Sequence, residues 1–318
     1  MKKSLSAIMS LLLPILVFSV YAQGPKEISK TFEAKKLLRI ETVSGDCSIN
    51  RGDQNAIKVD VSYDVRPDDA FEPDFQVKAN ELKIKERWHG HASGRVLWKI
   101  TVPGETEIMF STASGDLVIE HLNSAIDANT ASGDVHISDA KGEIEISTAS
   151  GDIHLAQVEG ELDFSTASGD IQGINVKGQL DLSTASGDIR LRSASGSFDL
   201  SCASGDIDIS DLTLNEESSF STASGDIELK LAESAKADLE CSAASGDVTL
   251  DYNGNELKGF FEFTTKKHGG RIIAPLDFDN EEEFNRGGSE YVKKSFSAGG
   301  SQPRITFSTS SGNVKLKK

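Results

Sequence analysis

The tripeptide Ser-Gly-Asp recurs eight times between residues 114 and 247, and this repetition constrains the fold more than any other feature of the chain. Its glycines are Gly115, Gly133, Gly151, Gly169, Gly187, Gly205, Gly225 and Gly246. The first six follow one another at every eighteenth position, and the last two intervals are only slightly longer. A fixed spacing indicates one structural unit that is copied along the chain and stacked on itself.

Apolar residues alternate on both sides of each tripeptide. Pairs such as Ile153 and Leu155 follow the glycine by two and four residues, and pairs such as Ile144 and Ile146 precede the next glycine by seven and five. This period of two predicts short strands with one buried face. A second glycine follows nine residues after the first in four successive repeats, at Gly142, Gly160, Gly178 and Gly196.

Two strands and two corners within one repeat form one flattened coil. We therefore predict an all-β fold, a parallel β-solenoid (β-helix) with two-strand coils of about 18 residues, irregular caps at both ends and a right-handed path. An antiparallel sandwich is the alternative. It gives no reason to keep one corner tripeptide and one spacing through eight units.

The residue types at the corners are consistent with a β-solenoid. Glycine supplies either a positive φ or a close approach of two backbones, and Ser and Asp can hydrogen-bond to corner amides. Three residues before the glycine, Thr148 and its equivalents alternate with Cys202 and Ala243, which predicts a tight interior position. The predicted corner aspartates are Asp116, Asp134, Asp152, Asp170, Asp188, Asp206, Asp226 and Asp247.

The ends of the chain depart from the repeat. Residues 1–22 are typical of a cleavable signal peptide, with Lys2 and Lys3, an apolar run and Ala22 before the expected cut. Residues 23–110 are expected to form an N-terminal cap and first coil around an early copy at Gly45, and residues 111–250 the regular solenoid. Residues 251–318 are expected to contain degenerate coils, an acidic loop or hairpin at Glu281–Glu283, and a last coil around Gly312.

The net charge limits the possible partners, and the cysteine positions predict the state of the thiols. A formal net charge of −17 disfavours binding to nucleic acid or to an anionic membrane by charge alone. Cys47, Cys202 and Cys241 fall on inward positions, and the last two would lie two coils apart, about 10 Å, which is beyond disulfide reach. We expect buried free thiols, with a bridge to Cys47 as the alternative.

A row of acidic residues six positions before the corner glycine is the candidate metal site. It consists of Asp127, Glu145, Asp163, Asp181 and Asp199, and strand alternation points all of them outward. Calcium prefers several hard oxygen ligands, so the row could bind it. Calcium-binding nonapeptide rolls share the period, but they place a Gly-Gly-x-Gly-x-Asp turn on both sides of the coil. A solvated acidic face is the competing interpretation, and no cofactor is otherwise expected.

Histidines and catalytic patterns give a weaker signal. His136 and His154 lie at equivalent positions of adjacent repeats and could share a metal, but a ladder of exposed histidines is the favoured interpretation. Eight copies of Ser-Gly-Asp cannot be eight nucleophiles, and the chain has no phosphate loop or zinc spacing. A carbohydrate-cleaving β-helix is the remaining enzyme hypothesis, and the minimal coils argue against its cleft. We expect no enzyme.

The Ser-Gly-Asp-Ile corners and the segment from Val96 to Asp116 resemble the bacterial putative-adhesin family, exported β-strand-repeat proteins with a domain of unknown function. The resemblance covers nearly all of the mature chain. It implies the solenoid fold and surface adhesion, and it supplies no catalytic or binding residues.

The sequence thus predicts a non-enzymatic exported β-solenoid that acts as an adhesion or interaction surface in the bacterial envelope. The expected partner is an envelope protein or a surface glycan, and the expected location is the periplasm, the cell surface or the extracellular space. An envelope scaffold or sensor component that binds a partner protein, and a calcium-binding wall protein, are the alternatives. No nucleic-acid partner and no integral membrane segment after cleavage are expected.

Overall fold

The computed structural model describes residues 24–52 and 55–318, and it contains strands and no helix within those ranges. The predicted signal peptide lies outside the described residues. The N-terminal strands are β1 (Lys26–Glu33), β2 (Leu37–Glu41), β3 (Asp46–Arg51), β4 (Ala56–Arg66), β5 (Phe71–Val77), β6 (Glu81–Trp88) and β7 (Ser93–Val102).

The regular part and the C-terminal part continue this all-β pattern. The regular strands are β8 (Glu107–Thr112), β9 (Leu117–Glu120), β10 (Ile126–Thr130), β11 (Val135–Thr148), β12 (Ile153–Thr166), β13 (Ile171–Thr184), β14 (Ile189–Arg192), β15 (Ser195–Cys202), β16 (Ile207–Leu214), β17 (Ser218–Thr222), β18 (Ile227–Leu231), β19 (Leu239–Ser245) and β20 (Val248–Asp251). The last strands are β21 (Gly259–Lys266), β22 (Ile272–Ile273), β23 (Asn280–Arg286), β24 (Ser289–Ala298), β25 (Arg304–Ser311) and β26 (Val314–Lys317).

Each repeat pairs in parallel with its copy in the next coil. Ile144 pairs with Leu162 and Leu162 with Leu180, so partners in this ladder are one repeat apart in the sequence. The all-β, solenoid-like fold class is confirmed, and the right-handed path stays a prediction. We call the outer surface of the strands that follow a Ser-Gly-Asp corner, such as residues 135–138, the front face. The outer surface of the strands that precede a corner, such as residues 143–148, is the back face.

The coil has a third, short side that the two-strand prediction missed. Between the two main strands Ala140 pairs with Val158 and Gly142 with Gly160. The residue seven after the corner glycine points inward on this side, and it is buried in six successive coils: Leu122, Ala140, Val158, Val176, Ala194 and Leu212. The bend before it contains non-glycine residues with φ between 51° and 61°: His121, Asp139, Gln157, Asn175, Ser193 and Asp211. Asn, Asp and His enter this left-handed region most readily, which explains much of this set.

The interior is a set of aliphatic ladders. Ile153, Ile171, Ile189 and Ile207 are each 0% exposed, as the alternation predicts. Stacked coils therefore bury one continuous core, and no single coil could bury these side chains alone.

The glycine of the Ser-Gly-Asp corner is required by a close approach of two backbones. A Cβ atom at Gly151 would overlap the carbonyl oxygen of Gly133 in the preceding coil and lie 3.0 Å from Thr148 Oγ1. Of the two explanations that the sequence left open, close approach applies along the ladder, and only Gly246 among these eight glycines has a positive φ, of 154°. The threonine completes the corner, because Thr148 Oγ1 accepts a hydrogen bond from the Gly151 amide at 2.9 Å.

The order of coils in space differs from their order in the chain at both ends. The early copy β2–β3 lies between the coil of β6 and β7 and the coil of β8 and β9. The copy around Gly312, expected to be the last coil, lies between the coil of β19 and β20 and the strands β21 and β22. Each end of the chain therefore inserts one coil inside the stack.

Antiparallel strands cover the two ends of the stack. At the N-terminal end β4 pairs with β7, β1 pairs with β4, and β5 pairs with β6. At the C-terminal end β24 pairs with β21, and β23 pairs with β24. The acidic segment at Glu281–Glu283 is thus part of a hairpin strand, since it pairs with β24. Ion pairs of Glu281 with Lys294 at 3.0 Å and of Glu282 with Lys293 at 3.4 Å lie across this hairpin.

The corner geometry predicts that Gly151→Ala lowers the free energy of unfolding by about 2 kcal/mol or more, because the added methyl group meets backbone that cannot move away. Urea unfolding of the exported protein measures this loss. The neighbouring Ser150→Ala, at an exposed position of the same corner, should change stability by less than about 0.5 kcal/mol. Equal effects of the two substitutions would contradict the close approach.

Candidate functional site

The corner aspartates form a ladder of hydrogen bonds along the stack. The amide of Asp152 donates to Asp134 Oδ1 at 2.9 Å, and the amide of Asp170 donates to Asp152 Oδ1 at 2.8 Å. The same bond recurs from Asp116 to Asp247 and continues to Asn313, whose amide donates to Asp247 Oδ1 at 2.7 Å. These carboxylates hold successive corners together, as the sequence predicted for hydrogen bonds to corner amides.

This ladder predicts different costs for two substitutions of Asp152. Asp152→Ala removes an acceptor of a backbone amide and should lower the free energy of unfolding by about 1–2 kcal/mol. Asp152→Asn keeps an acceptor oxygen in place, as Asn313 does when its Oδ1 accepts the Arg271 amide at 3.1 Å, and should cost less than half as much. Urea unfolding at pH 7 compares the two variants. Equal losses would mean that the acceptor oxygen does not stabilise the corner.

The acidic row lies on the back face in the predicted register. Asp127 pairs with Glu145, Glu145 with Asp163, Asp163 with Asp181, and Asp181 with Asp199. Partial burial, with added repulsion from Asp163 and Asp199, raises the pKa of Asp181. No group of three or more potential ligands is arranged to hold a metal ion among residues 24–52 and 55–318. Calcium binding by this row stays a prediction.

Because the pKa of Asp181 is raised, replacing Asp181 by a neutral residue should stabilise the protein by an amount that depends on pH. The folded state favours the protonated form of Asp181. Protonation therefore stabilises the fold fully below the ordinary aspartate pKa of about 3.9, and this stabilisation is lost as the pH rises through the raised pKa. Asp181→Asn should therefore stabilise the protein at pH 7 by about 0.5 kcal/mol, since repulsion between surface charges is screened. The gain should shrink towards zero as the pH falls to about 4.

A matched control is Asp127→Asn at the end of the row. Asp127 has one acidic neighbour, Glu145, while its other neighbour is Met109. Its substitution should give a smaller gain or none. Thermal unfolding across pH measures both variants, and a gain for Asp181→Asn that does not change with pH would contradict the assignment.

The other predicted residues have simple structural roles. The three cysteines are free and buried, as expected. Burial raises the pKa of the Cys202 thiol to about 12 and raises the pKa values of Cys47 and Cys241 as well. His136 and His154 pair in register on the front face with ring centroids 4.5 Å apart, which is the predicted histidine ladder.

The front face carries a groove that the sequence reasoning did not identify. It has a volume of about 710 Å³ and extends across six coils, from Asp116 to Ser210. Its outward lining residues stand three and five positions after the corner glycines: Val118, His136, His154, Gln172, Arg190 and Asp208 in one row, and Glu120, Ser138, Ala156, Ile174, Arg192 and Ser210 in the other.

Gly173 lies within this groove and replaces an interior side chain. The equivalent positions in neighbouring coils are Leu155 and Leu191, both buried. A Cβ atom at Gly173 would lie 2.8 Å from side-chain carbons of both Leu191 and Val176, so these two side chains occupy the space that a leucine would need. On the outer side the adjacent Ile174 is 51% exposed.

Two arginines lie at one end of the groove in different environments. Arg190 Nη1 lies 3.0 Å from Asp170 Oδ2, and its other nitrogen pairs with Asp188, so the ladder carboxylates hold it. Arg192 forms no ion pair within the part of the chain that the structure describes. The guanidinium of Arg192 is therefore available to a ligand.

A wider groove on the back face has a different origin. It has a volume of about 960 Å³ and is lined by repeated threonine, serine and alanine positions of the corner, such as Thr166, Ala167 and Ser183. Its outward rows barely change from coil to coil, so copying of the repeat accounts for them. The front-face rows change at almost every coil, and the stack requires none of these particular side chains. The sequence signal for the groove was the set of front-face positions that differ from repeat to repeat, together with Gly173 where the other repeats have leucine or isoleucine.

The fold and the groove define a repeat protein of the β-solenoid class with a variable front face. The chain belongs to the family described as Toastrack DUF4097, which it matches over residues 76–172 and 99–269. The family resemblance stated from the corners is confirmed. No curated protein matches the chain at a significant level.

Several solved structures are similar along most of their length. They include a putative lipid binding protein from Parabacteroides distasonis (15% identity, 93% of this chain and 98% of the other, TM-score 0.43). A putative adhesin from the same species has 12% identity over 92% and 97% of the two chains, with a TM-score of 0.43. A putative adhesin from Bacteroides fragilis has 14% identity over 92% and 97%, with a TM-score of 0.34. With TM-scores below 0.5, these similarities assign no function to this chain.

Within residues 24–52 and 55–318 there is no helix of the length and hydrophobicity needed to span a membrane.

Proposed function

We propose that this protein is a non-enzymatic, exported β-solenoid that binds a partner in the bacterial envelope through the front-face groove. The carrying observation is the groove itself, whose two outward rows change at almost every coil, whereas the outward rows of the back face stay nearly uniform. The predicted signal peptide at residues 1–22 supports export. A rigid stack presents such a face at low entropic cost, which suits adhesion or another interaction role.

The dimensions of the groove support a binding role. A volume of about 710 Å³ lies within the range of ligand sites. The groove combines an exposed apolar side chain, Ile174, with polar groups of His154, Gln172 and Arg192. Such a mixture gives contact area and orientation together.

The hydrogen bonding of the repeat supports a role other than catalysis. The carboxylates of the corner ladder accept backbone amides, and the threonine hydroxyls of the corners bond to backbone groups. The most repeated polar residues of the chain are therefore engaged in holding coils together.

A substitution within the groove tests the proposal. Ile174→Glu places a carboxylate at an exposed position where the first repeat already has Glu120, so folding should be retained. Labelled exported protein is added to isolated envelopes of the source bacterium, and bound protein is measured against concentration. We expect Ile174→Glu to weaken binding at least about tenfold, as for a central contact residue.

Gln179→Glu is the control. It adds the same charge in the same coil, outside the groove, at a position where the preceding coil has Glu161. It should bind envelopes like the unmodified protein. If Ile174→Glu also bound normally, the groove would not be the binding surface.

A further inference from the structure

We propose that the front-face groove binds an oligosaccharide chain that carries separated carboxylate groups. This inference rests on the proposed function, which makes the groove the binding surface, and it adds the class of ligand. Four features of the groove carry it: the unpaired Arg192, the acidic residues around it, the unpaired neutral polar groups, and the fully paired strands beneath.

The cations of the groove stand out against their surroundings. Residues 111–250 contain 26 Asp and Glu residues and six Lys and Arg residues. The two arginines of this stretch are Arg190 and Arg192, and both line the groove. Since Arg190 is already held by Asp170 and Asp188, Arg192 is the group that can bind a ligand carboxylate through two parallel hydrogen bonds.

The acidic surroundings limit how much charge the ligand can carry. Asp116, Glu120 and Asp208 also line the groove, and the acidic row covers the back face. A densely charged polyanion would gain one contact at Arg192 and be repelled along the rest of the stack. A ligand with isolated carboxylates, separated by neutral units, avoids that repulsion.

The uncharged side chains of the groove can contact the hydroxyl groups and the ring faces of a sugar. The side chains of His136, His154 and Gln172 make no hydrogen bond to other described residues of the protein, so their donors and acceptors face the groove. Ile174 and Ala156 offer apolar contacts to the C–H face of a ring. The groove follows the stacking direction for about 24 Å, five strand spacings, which favours an extended chain over a single small molecule.

The backbone beneath the groove argues against a peptide. Peptides that bind to sheets usually add a strand at an open edge and gain main-chain hydrogen bonds. Here β12 and β13 are paired on both sides, and the groove lies over the middle of the stack. An acidic peptide would have only side chains to contact, so we assign the groove to a saccharide.

Calorimetric titration of the exported protein tests this assignment with defined probes. The probes are a hyaluronan hexasaccharide, which has a carboxylate on every second sugar, the neutral chitin hexasaccharide, and a six-residue peptide of alternating glycine and glutamate. We expect measurable binding of the hyaluronan hexasaccharide, with an affinity at least about tenfold higher than for either of the others, which is the gain from one charge-assisted contact.

Variants of one row localise the contact. Arg192→Gln should weaken binding of the hyaluronan hexasaccharide at least about tenfold. Lys230→Gln removes the same charge two coils away, also five residues after a corner glycine but beyond the groove, and should leave the affinity unchanged. Circular dichroism checks that both variants fold.

The other outcomes separate this inference from the proposed function. Equal binding of the neutral hexasaccharide, or an unchanged affinity of Arg192→Gln, would overturn carboxylate recognition. Preferential binding of the peptide would overturn the saccharide class. If no probe bound while Ile174→Glu still abolished binding to envelopes, the ligand class would be wrong and the groove would remain the binding surface.

Discussion

The contact between corner glycines of successive coils is the constraint on which the rest of this structure depends. At each corner the carbonyl group of one glycine occupies the place where a side chain of the next would begin. Glycine allows the coils to pair at strand spacing at this corner, where the threonine hydroxyl and the aspartate carboxylate bond to neighbouring amides. Every ladder of the core and of the faces follows from this alignment, because a shift at one corner would move every row behind it.

Much of this could be predicted from the sequence because the structural requirement repeats. The Ser-Gly-Asp spacing, the inward rows such as Ile153 and Ile171, and the buried thiols all depend on positions that recur in coil after coil. The bend at His121 and Asp139 was missed because different polar residues adopt the same left-handed conformation there. Its only sequence signal is a polar residue at every eighteenth position.

Features that depend on which residues are neighbours in space could not be predicted from the repeat pattern. The coil around Gly312 follows the hairpin in the chain but inserts before it in the stack, because edge pairing and not chain order selects its partners. The groove is similar, since its walls come from six coils and its centre is marked by one missing side chain at Gly173. The repeated part of the sequence therefore specifies the stack, and the departures from repetition indicate where the stack differs from a plain scaffold.

The distance between equivalent residues of different coils tests the stacked arrangement most directly. Spin labels can be attached to cysteines introduced at Asn129, Ser147 or Ser165, each combined with Ser242, all in one row of the back face. The native thiols are buried, and the unmodified protein shows whether they react. Double electron–electron resonance should give separations of about 29, 24 and 19 Å for the three pairs, since each pair is one coil, and so one strand spacing, closer than the one before. Separations that do not change in equal steps with the number of coils would contradict the stack.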